Sequence, residues 1–79
     1  MVLLKKKEIS KDKISYYYQI EGKGRWGTLA YFPETGKLRV EGFAQDENEV
    51  DNYRNHAFSA MLKFYRTNDY PDEKLVAWY

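Results

Sequence analysis

Residues 14–43 read ISYYYQIEGKGRWGTLAYFPETGKLRVEGF, and their pattern predicts most of the sheet. Apolar and polar side chains alternate along its first part, as they do in a strand with one buried face. Residues 26–32 form a second run of strand-favouring residues, and residues 37–43 alternate again. Glycine-containing segments separate the three runs, which is typical of hairpin turns. The pattern predicts an antiparallel meander of at least three strands.

The loop between the second and third strands determines which side chains share a face. A three-residue loop, residues 34–36, pairs Phe32 with Leu38, whereas a four-residue loop places Tyr31 beside Leu38. Turn chemistry favours the three-residue loop with its glycine in the left-handed conformation. On that register Leu29 and Tyr31 lie on the face of the sheet that does not carry the core.

A long helix has the clearest pattern in the chain. Asp46 is a good N-cap, and Glu49 completes a pair similar to a capping box. Asn68 can close the helix, and Pro71 prevents its continuation. We therefore predict a helix from about Glu47 to Thr67. Its apolar residues recur at helical spacing and form one stripe: Val50, Tyr53, Ala57, Met61 and Phe64, widened by Phe58, Leu62 and Tyr65.

The two ends of the chain complete the predicted fold. Residues 1–13 form either a polar basic arm or an edge strand, and we favour the strand because lysine-rich edges resist unwanted pairing. Residues 74–79 are expected to form a final strand, with an apolar strap against the helix as the alternative.

Residues 1–79 are therefore predicted to be a single small α+β domain. It consists of an antiparallel β-meander of three or more strands, one long helix packed on one face and a short C-terminal strand. The helix stripe is expected to meet these side chains of the sheet: Ile14, Tyr16, Tyr18, Ile20, Ala30, Phe32, Leu38 and Val40.

The composition limits the classes of function. The chain has 79 residues and no cysteine, so it has neither a disulfide nor a thiolate metal ligand. Aromatic residues make up 18% of it and supply buried area for a small core. No apolar run approaches the ~20 residues of a membrane-spanning helix. We expect a cytoplasmic protein with no membrane partner.

The net charge argues against a protein built mainly to bind nucleic acid. It is +1 over the whole chain. Residues 1–45 carry nine basic and five acidic side chains, net +4, and residues 46–79 carry four and seven, net −3. This separation is far weaker than the basic footprint of a typical nucleic-acid-binding domain.

No motif for catalysis or metal binding is present. His56 is the only histidine and is expected to be an ordinary surface residue of the helix. None of the three serines, Ser10, Ser15 and Ser59, lies in a nucleophile elbow. Residues 22–25 (GKGR) lack the ending of a phosphate-binding loop and join two strands. We expect no enzymatic activity, no catalytic residue, no metal and no cofactor.

One group of side chains supports a binding hypothesis. The predicted register places aromatic, leucine and arginine side chains on the face away from the helix, beside the arginine of the first turn: Tyr17, Arg25, Leu29, Tyr31 and Arg39. Such a surface can bind a peptide, form a dimer contact or stack on bases. We expect a non-enzymatic interaction module that binds a protein partner, or itself as a homodimer, through this outer face or a sheet edge.

The alternative is a nucleic-acid-binding module that uses the aromatic and basic residues of the sheet. Three short motifs bear on it: Gly24-Arg25-Trp26, Gly36-Lys37 and Gly42-Phe43. Together with the order strand, strand, strand, helix over residues 16–66, they give a layout that resembles the DNA-binding domains of some plant transcription factors and of integrase arm-binding domains. The resemblance implies DNA recognition by a strongly basic sheet, whereas this sheet carries Glu21, Glu34 and Glu41. Nucleic acid is therefore not the favoured partner.

Overall fold

The computed structural model describes residues 1–44 and 50–77. In this part of the chain the elements are β1 (Val2–Ile9), β2 (Ile14–Ile20), β3 (Gly27–Phe32), β4 (Lys37–Gly42), α1 (Val50–Thr67) and β5 (Glu73–Val76). The strands form one antiparallel sheet in the order β4-β3-β2-β1-β5. Because α1 packs across one face of this sheet, the predicted α+β fold is confirmed, including the short C-terminal strand.

The N-terminal segment is a strand with neighbours on both sides over half of its length. Residues 2–5 of β1 pair with β2 on one side and with β5 on the other. The backbone N–H of Lys6 donates to the carbonyl of Asp72 at 2.8 Å, and the Lys6 ammonium lies 2.9 Å from the Asp72 carboxylate. The expectation of a strand is confirmed, but its position at the edge is wrong for residues 2–5, because β5 returns after α1 and covers them.

The central strand β2 carries the core as its alternation predicts. Tyr16 and Tyr18 are fully buried between the sheet and α1. The ring of Tyr16 lies 5.4 Å from that of Phe64, and its hydroxyl donates to the carbonyl of Pro71 at 2.7 Å. The hydroxyl of Tyr18 accepts the backbone N–H of Ala44 at 3.1 Å. Both rings therefore supply buried apolar area without leaving an unpaired hydroxyl.

The helix buries the stripe that the sequence predicts, as far as its side chains are described. Ala57, Met61 and Phe64 are buried, and Tyr53 packs at the margin of the core. Val50 begins the described part of α1, but its side chain lies outside the described residues.

The helix ends at the residue that the sequence indicates. Asn68 has a left-handed backbone with φ 53°. The N–H of Asn68 donates to the carbonyl of Tyr65 and the N–H of Asp69 to that of Phe64, at 3.2 and 3.1 Å. This pair of bonds is the Schellman arrangement, which satisfies the last carbonyls of a helix. The predicted N-cap pair of Asp46 and Glu49 lies outside the described residues.

The β3–β4 hairpin corrects the predicted register. Phe32 pairs with Lys37 and Tyr31 with Leu38, so the loop has four residues, 33–36. Gly36 adopts φ 69°, and its N–H donates to the carbonyl of Phe32 at 2.8 Å. The glycine is left-handed as predicted, but the loop contains one more residue because Pro33 belongs to the turn and not to the strand.

The longer loop reverses the two faces of β3. Leu29 is fully buried on the helix face, opposite Tyr16, and Tyr31 packs beside it at the margin of the core. Ala30 and Phe32 lie on the opposite face, which we call the outer face. The predictions that Ala30 and Phe32 meet the helix and that Leu29 and Tyr31 face away from it are therefore wrong.

Candidate binding surface at the sheet edge

The structure does not bring the five predicted site residues together. Tyr17 and Arg39 lie on the outer face as predicted, since their cross-strand partners are outer-face residues. Leu29 is 0% exposed and cannot contact a partner, and Tyr31 packs on the helix side. Arg25 lies in the loop between β2 and β3, where its Nε donates to the carbonyl of Phe43 at 3.2 Å. The predicted surface is therefore divided among three places.

Two lysine side chains lie against aromatic rings of the outer face. The ammonium of Lys7 lies 5.7 Å from the ring centroid of Tyr17, and that of Lys13 lies 5.9 Å from the ring centroid of Phe32. Lys13 also forms an ion pair with Glu41 at 2.9 Å. At these distances each cation is attracted to the face of its ring. The two half-buried rings of this face are therefore already in contact with charged groups.

Two small side chains of the outer face are buried. Ser15 and Ala30 are opposite each other on the two central strands, and both are fully buried. The hydroxyl of Ser15 donates to the carbonyl of Leu29 at 3.1 Å. Because this serine is buried and its hydroxyl is already bonded to the backbone, it is not placed to attack a substrate.

The helix face has a less complete cover at β4. The main contacts of α1 are with β1, β2, β3 and β5. Two side chains of β4 point toward the helix side of the sheet, Leu38 and Val40, since they pair with Tyr31 and Leu29. Leu38 is nevertheless 42% exposed, and Val40 is half-buried. The helix is thus displaced from the β4 end of its own core face.

An aromatic pair continues this exposed apolar surface from the sheet to the helix. The rings of Tyr31 and Tyr65 meet edge to face, with centroids 5.4 Å apart, and Tyr65 is 42% exposed. Leu38 is the direct cross-strand neighbour of Tyr31. We call these four side chains the β4 patch: Tyr31, Leu38, Val40 and Tyr65.

The backbone of β4 adds hydrogen-bonding groups to the patch. This strand is the last of the sheet on its side, so one of its edges has no strand neighbour among the described residues. The pairing with β3 is regular from Lys37 to Val40, and a bulge follows, in which Glu41 is the extra residue before Gly42 meets Thr28. An open depression lies along the same edge, lined in part by Phe32, Lys37 and Arg39.

The opposite edge of the sheet differs in length and charge. β5 has four residues and carries one exposed leucine, Leu75. Asp72 precedes it, and the hydrogen bond from Lys6, together with the charge of that ammonium, lowers the pKa of the Asp72 carboxyl. An edge that begins at an ion pair and presents charges of both signs, at Glu73 and Lys74, is less suited than β4 to an apolar partner strand.

The far end of β4 carries a second exposed ring. Phe43 is 48% exposed, and the guanidinium of Arg54 lies 5.4 Å from its ring centroid. The carbonyl of Phe43 accepts the bond from Arg25 described above. Two arginines therefore hold the chain where it leaves the sheet, which explains the position of Arg25 without a ligand.

The described part of the chain contains no candidate metal site and no helix that could span a membrane. Residues 1–44 and 50–77 contain no group of three histidine, aspartate or glutamate side chains that could hold a metal ion. His56 is half-buried in the middle of α1 and has an interaction with its surroundings. Within the same ranges, no helix has the length and apolar character required to cross a membrane.

The β4 patch as a whole does not follow from the sequence pattern, although Tyr31 is one of the five predicted site residues and a sheet edge is one of the predicted binding surfaces. The pattern predicts Leu38 and Val40 in the core and Tyr65 at the side of the helix stripe. The available signal was topological, because the last strand of a meander has no successor and its core-facing residues lie at the margin of whatever covers the sheet. Comparison of the chain with protein-family models, curated proteins and solved structures finds no match.

Proposed function

We propose that this protein is a small non-enzymatic interaction module that binds a segment of a partner protein at the β4 edge of its sheet. The observation that carries the proposal is the exposure of Leu38, which lies on the core face of the sheet but is not covered by the helix. A partner that removes this leucine from water stabilises the complex by ~25 cal/mol for each Å² of apolar surface buried.

The unpaired edge of β4 supports the same proposal. An extended peptide can add to such an edge, where main-chain hydrogen bonds provide affinity and alternate side chains provide specificity. Leu38 lies on the helix face of this edge strand, next to Tyr31, whose ring contacts that of Tyr65. Edge pairing and apolar burial therefore act on the same segment of a partner.

The experiment is a selection of displayed random peptides on the full chain, followed by mapping of the selected peptides by NMR. We expect them to shift the backbone amides of residues 37–40 and to bind Leu38→Ser much more weakly than the wild type. Leu75→Ser is the matched control, because Leu75 is also an exposed leucine of an edge strand, on the opposite side of the sheet.

Two results would overturn the proposal. One is that selected peptides bind Leu38→Ser as tightly as Leu75→Ser. The other is that the peptides shift amides of the outer face or of β5 and leave β4 unchanged. Sedimentation of the free chain accompanies the selection, because a dimer that Leu38→Ser dissociates would identify a second copy of the chain as the partner.

Nucleic-acid binding is the second candidate, and the outer position of Tyr17 and Arg39 favours it. Against it, Lys7 and Lys13 already contact the rings of this face, and Lys13 is paired with Glu41. Titration with single- and double-stranded oligonucleotides separates the two functions. Binding to phosphates weakens steeply as salt increases, whereas apolar strand addition does not.

We also propose a cytoplasmic location for this activity. The sequence has no cysteine, and its stability therefore does not depend on an oxidising compartment.

A further inference from the structure

We infer that the segment bound at β4 is an extended strand in which acidic and apolar residues alternate. This inference rests on the proposed function and adds the chemistry of the partner. It follows from the arrangement of β4, which carries apolar side chains on one face and basic side chains on the other. Leu38 and Val40 lie on the helix face, whereas Lys37 and Arg39 lie on the outer face.

A strand added to β4 would need the same alternation of side chains, because its residues pair with those of β4. Residues opposite each other on neighbouring antiparallel strands place their side chains on the same face, with Cβ atoms about 5 Å apart. Ligand residues opposite Leu38 and Val40 would therefore be apolar and would contact the β4 patch. Those opposite Lys37 and Arg39 would project to the outer face, beside two cations.

The charges along the edge favour acidic residues at these outer positions. Lys37 and Arg39 are exposed, and neither forms an ion pair with a described residue. Glu41, the acidic residue of the same strand, is held by Lys13. Asp12 and Glu34 line the same depression, but they belong to the loops that precede β2 and β4. The outer side of the edge thus presents two cations that form no ion pair with a described residue.

The bulge limits the length of the bound segment. Regular pairing ends at Val40, because Glu41 is inserted before the next pair. A bulge bends its strand and interrupts the edge as a template. The site therefore accommodates a core of four or five residues, and such a short strand is expected to bind weakly and to exchange rapidly.

The test uses four labelled peptides with Gly-Ser flanks and the full-length chain. The first has the core Glu-Val-Glu-Val-Glu, the second replaces each Glu by Lys, and the third replaces each Glu by Gln. The fourth has the core Glu-Glu-Val-Val-Glu, which keeps the composition but breaks the alternation. Fluorescence anisotropy gives the affinities, and NMR amide shifts locate each peptide on the chain.

We expect the alternating acidic peptide to bind about tenfold more tightly than the lysine peptide, because two exposed charge pairs are exchanged for two repulsions. Its shifts should be concentrated in residues 37–40. The double variant Lys37→Glu/Arg39→Glu should reverse the preference toward the lysine peptide. Both substitutions replace exposed side chains, and an unchanged circular dichroism spectrum and melting temperature verify that the variant is folded.

The outcomes separate this inference from the proposed function. If the lysine or glutamine peptide binds residues 37–40 as tightly as the acidic one, the acidic preference is wrong and the edge site stands. If the non-alternating acidic peptide binds equally well, the attraction is electrostatic alone and strand addition is wrong. If no peptide shifts β4, including those from the random selection, both proposals fail.

Discussion

At the scale of single residues, Gly27 lies where the chain after β4 passes over the start of β3. A Cβ atom at this position would lie 2.6 Å from both the backbone N of Ala44 and the carbonyl oxygen of Gly42, and it would overlap the ring of Tyr18. Backbone atoms cannot rotate away from such an overlap. We expect Gly27→Ala to lower the free energy of unfolding by about 3 kcal/mol, measured by urea denaturation.

Gly42 provides the matched control for this substitution. A Cβ atom there would meet its nearest neighbour, the backbone N of Thr28, at 3.8 Å, which is ordinary van der Waals contact. Gly42 is also not among the residues with a left-handed backbone. We expect Gly42→Ala to change stability by less than about 1 kcal/mol. Equal losses for the two variants would contradict the close approach at Gly27.

Tyr16 provides a second residue-scale prediction, which concerns pH. Burial, aided by the charge of Asp72 and by Tyr70 and Asp69, raises the pKa of Tyr16 to about 12. In the unfolded chain a tyrosine has a pKa of about 10. Between pH 10 and 12 the unfolded chain therefore loses this proton while the folded chain keeps it, so the free energy of unfolding decreases as the pH rises through this range.

The variant Tyr16→Phe isolates this contribution. At neutral pH it should lower the free energy of unfolding by about 1 kcal/mol, because the hydrogen bond to Pro71 is lost. Between pH 10 and 12 its stability should decrease less steeply than that of the wild type. Denaturation curves at intervals through this range provide the measurement, and parallel wild-type and variant slopes would show that Tyr16 does not titrate as described.

At the scale of elements, the β3–β4 hairpin determines the faces of two strands at once. The four-residue loop buries Leu29 and leaves Leu38 at the margin of the same face. We expect Leu29→Ala to cost about 3 kcal/mol of stability and Leu38→Ala less than about 1 kcal/mol. The two substitutions remove the same atoms, so the difference measures burial. The reverse order of costs in thermal or urea unfolding would favour the shorter loop, in which Leu38 is buried and Leu29 faces away from the helix, and equal costs would contradict the difference in burial.

The elements also differ in how far their sequences predict them. The alternation of β2 and the helical stripe through Phe64 correspond to the observed buried residues, because each pattern spans several turns or residue pairs. The hairpin depended on a single residue, Pro33, which can either end a strand or begin a turn. Local turn chemistry alone favoured the wrong choice, and the burial of Leu29 opposite Tyr16 reverses it.

At the scale of the whole molecule, one helix is too narrow to cover a five-stranded sheet. A helix with its side chains is about 10–12 Å across, whereas neighbouring strands are ~4.8 Å apart. With α1 placed over the central strands, one margin of the core face stays open, and here it is the margin of β4. The candidate site therefore exists because one helix leaves part of the sheet uncovered, and Leu38 and Tyr65 are exposed at that margin.

The outer face of the sheet differs from the helix face in how its side chains are buried. No helix packs on it among the described residues, yet its small central side chains are buried. The half-buried rings of Tyr17 and Phe32 lie two residues further along the same strands, and a lysine ammonium lies over each ring. This arrangement explains how Tyr17 has a role in the structure without a partner, and why the proposed site lies at the edge instead.

The α+β class, the strand periodicity of β2, the helix and its end at Asn68 all follow from the amino-acid sequence. These features depend on residues close together in the chain, where spacing and capping chemistry act directly. The pairing of β5 with β1, the position of Leu29 and Tyr31 on the helix side and the exposure of Leu38 are instead set by tertiary contacts. Each of these features depends on which strands and helix pack together. The burial that stabilises this packing comes from contacts between residues far apart in the sequence, which local patterns do not reveal.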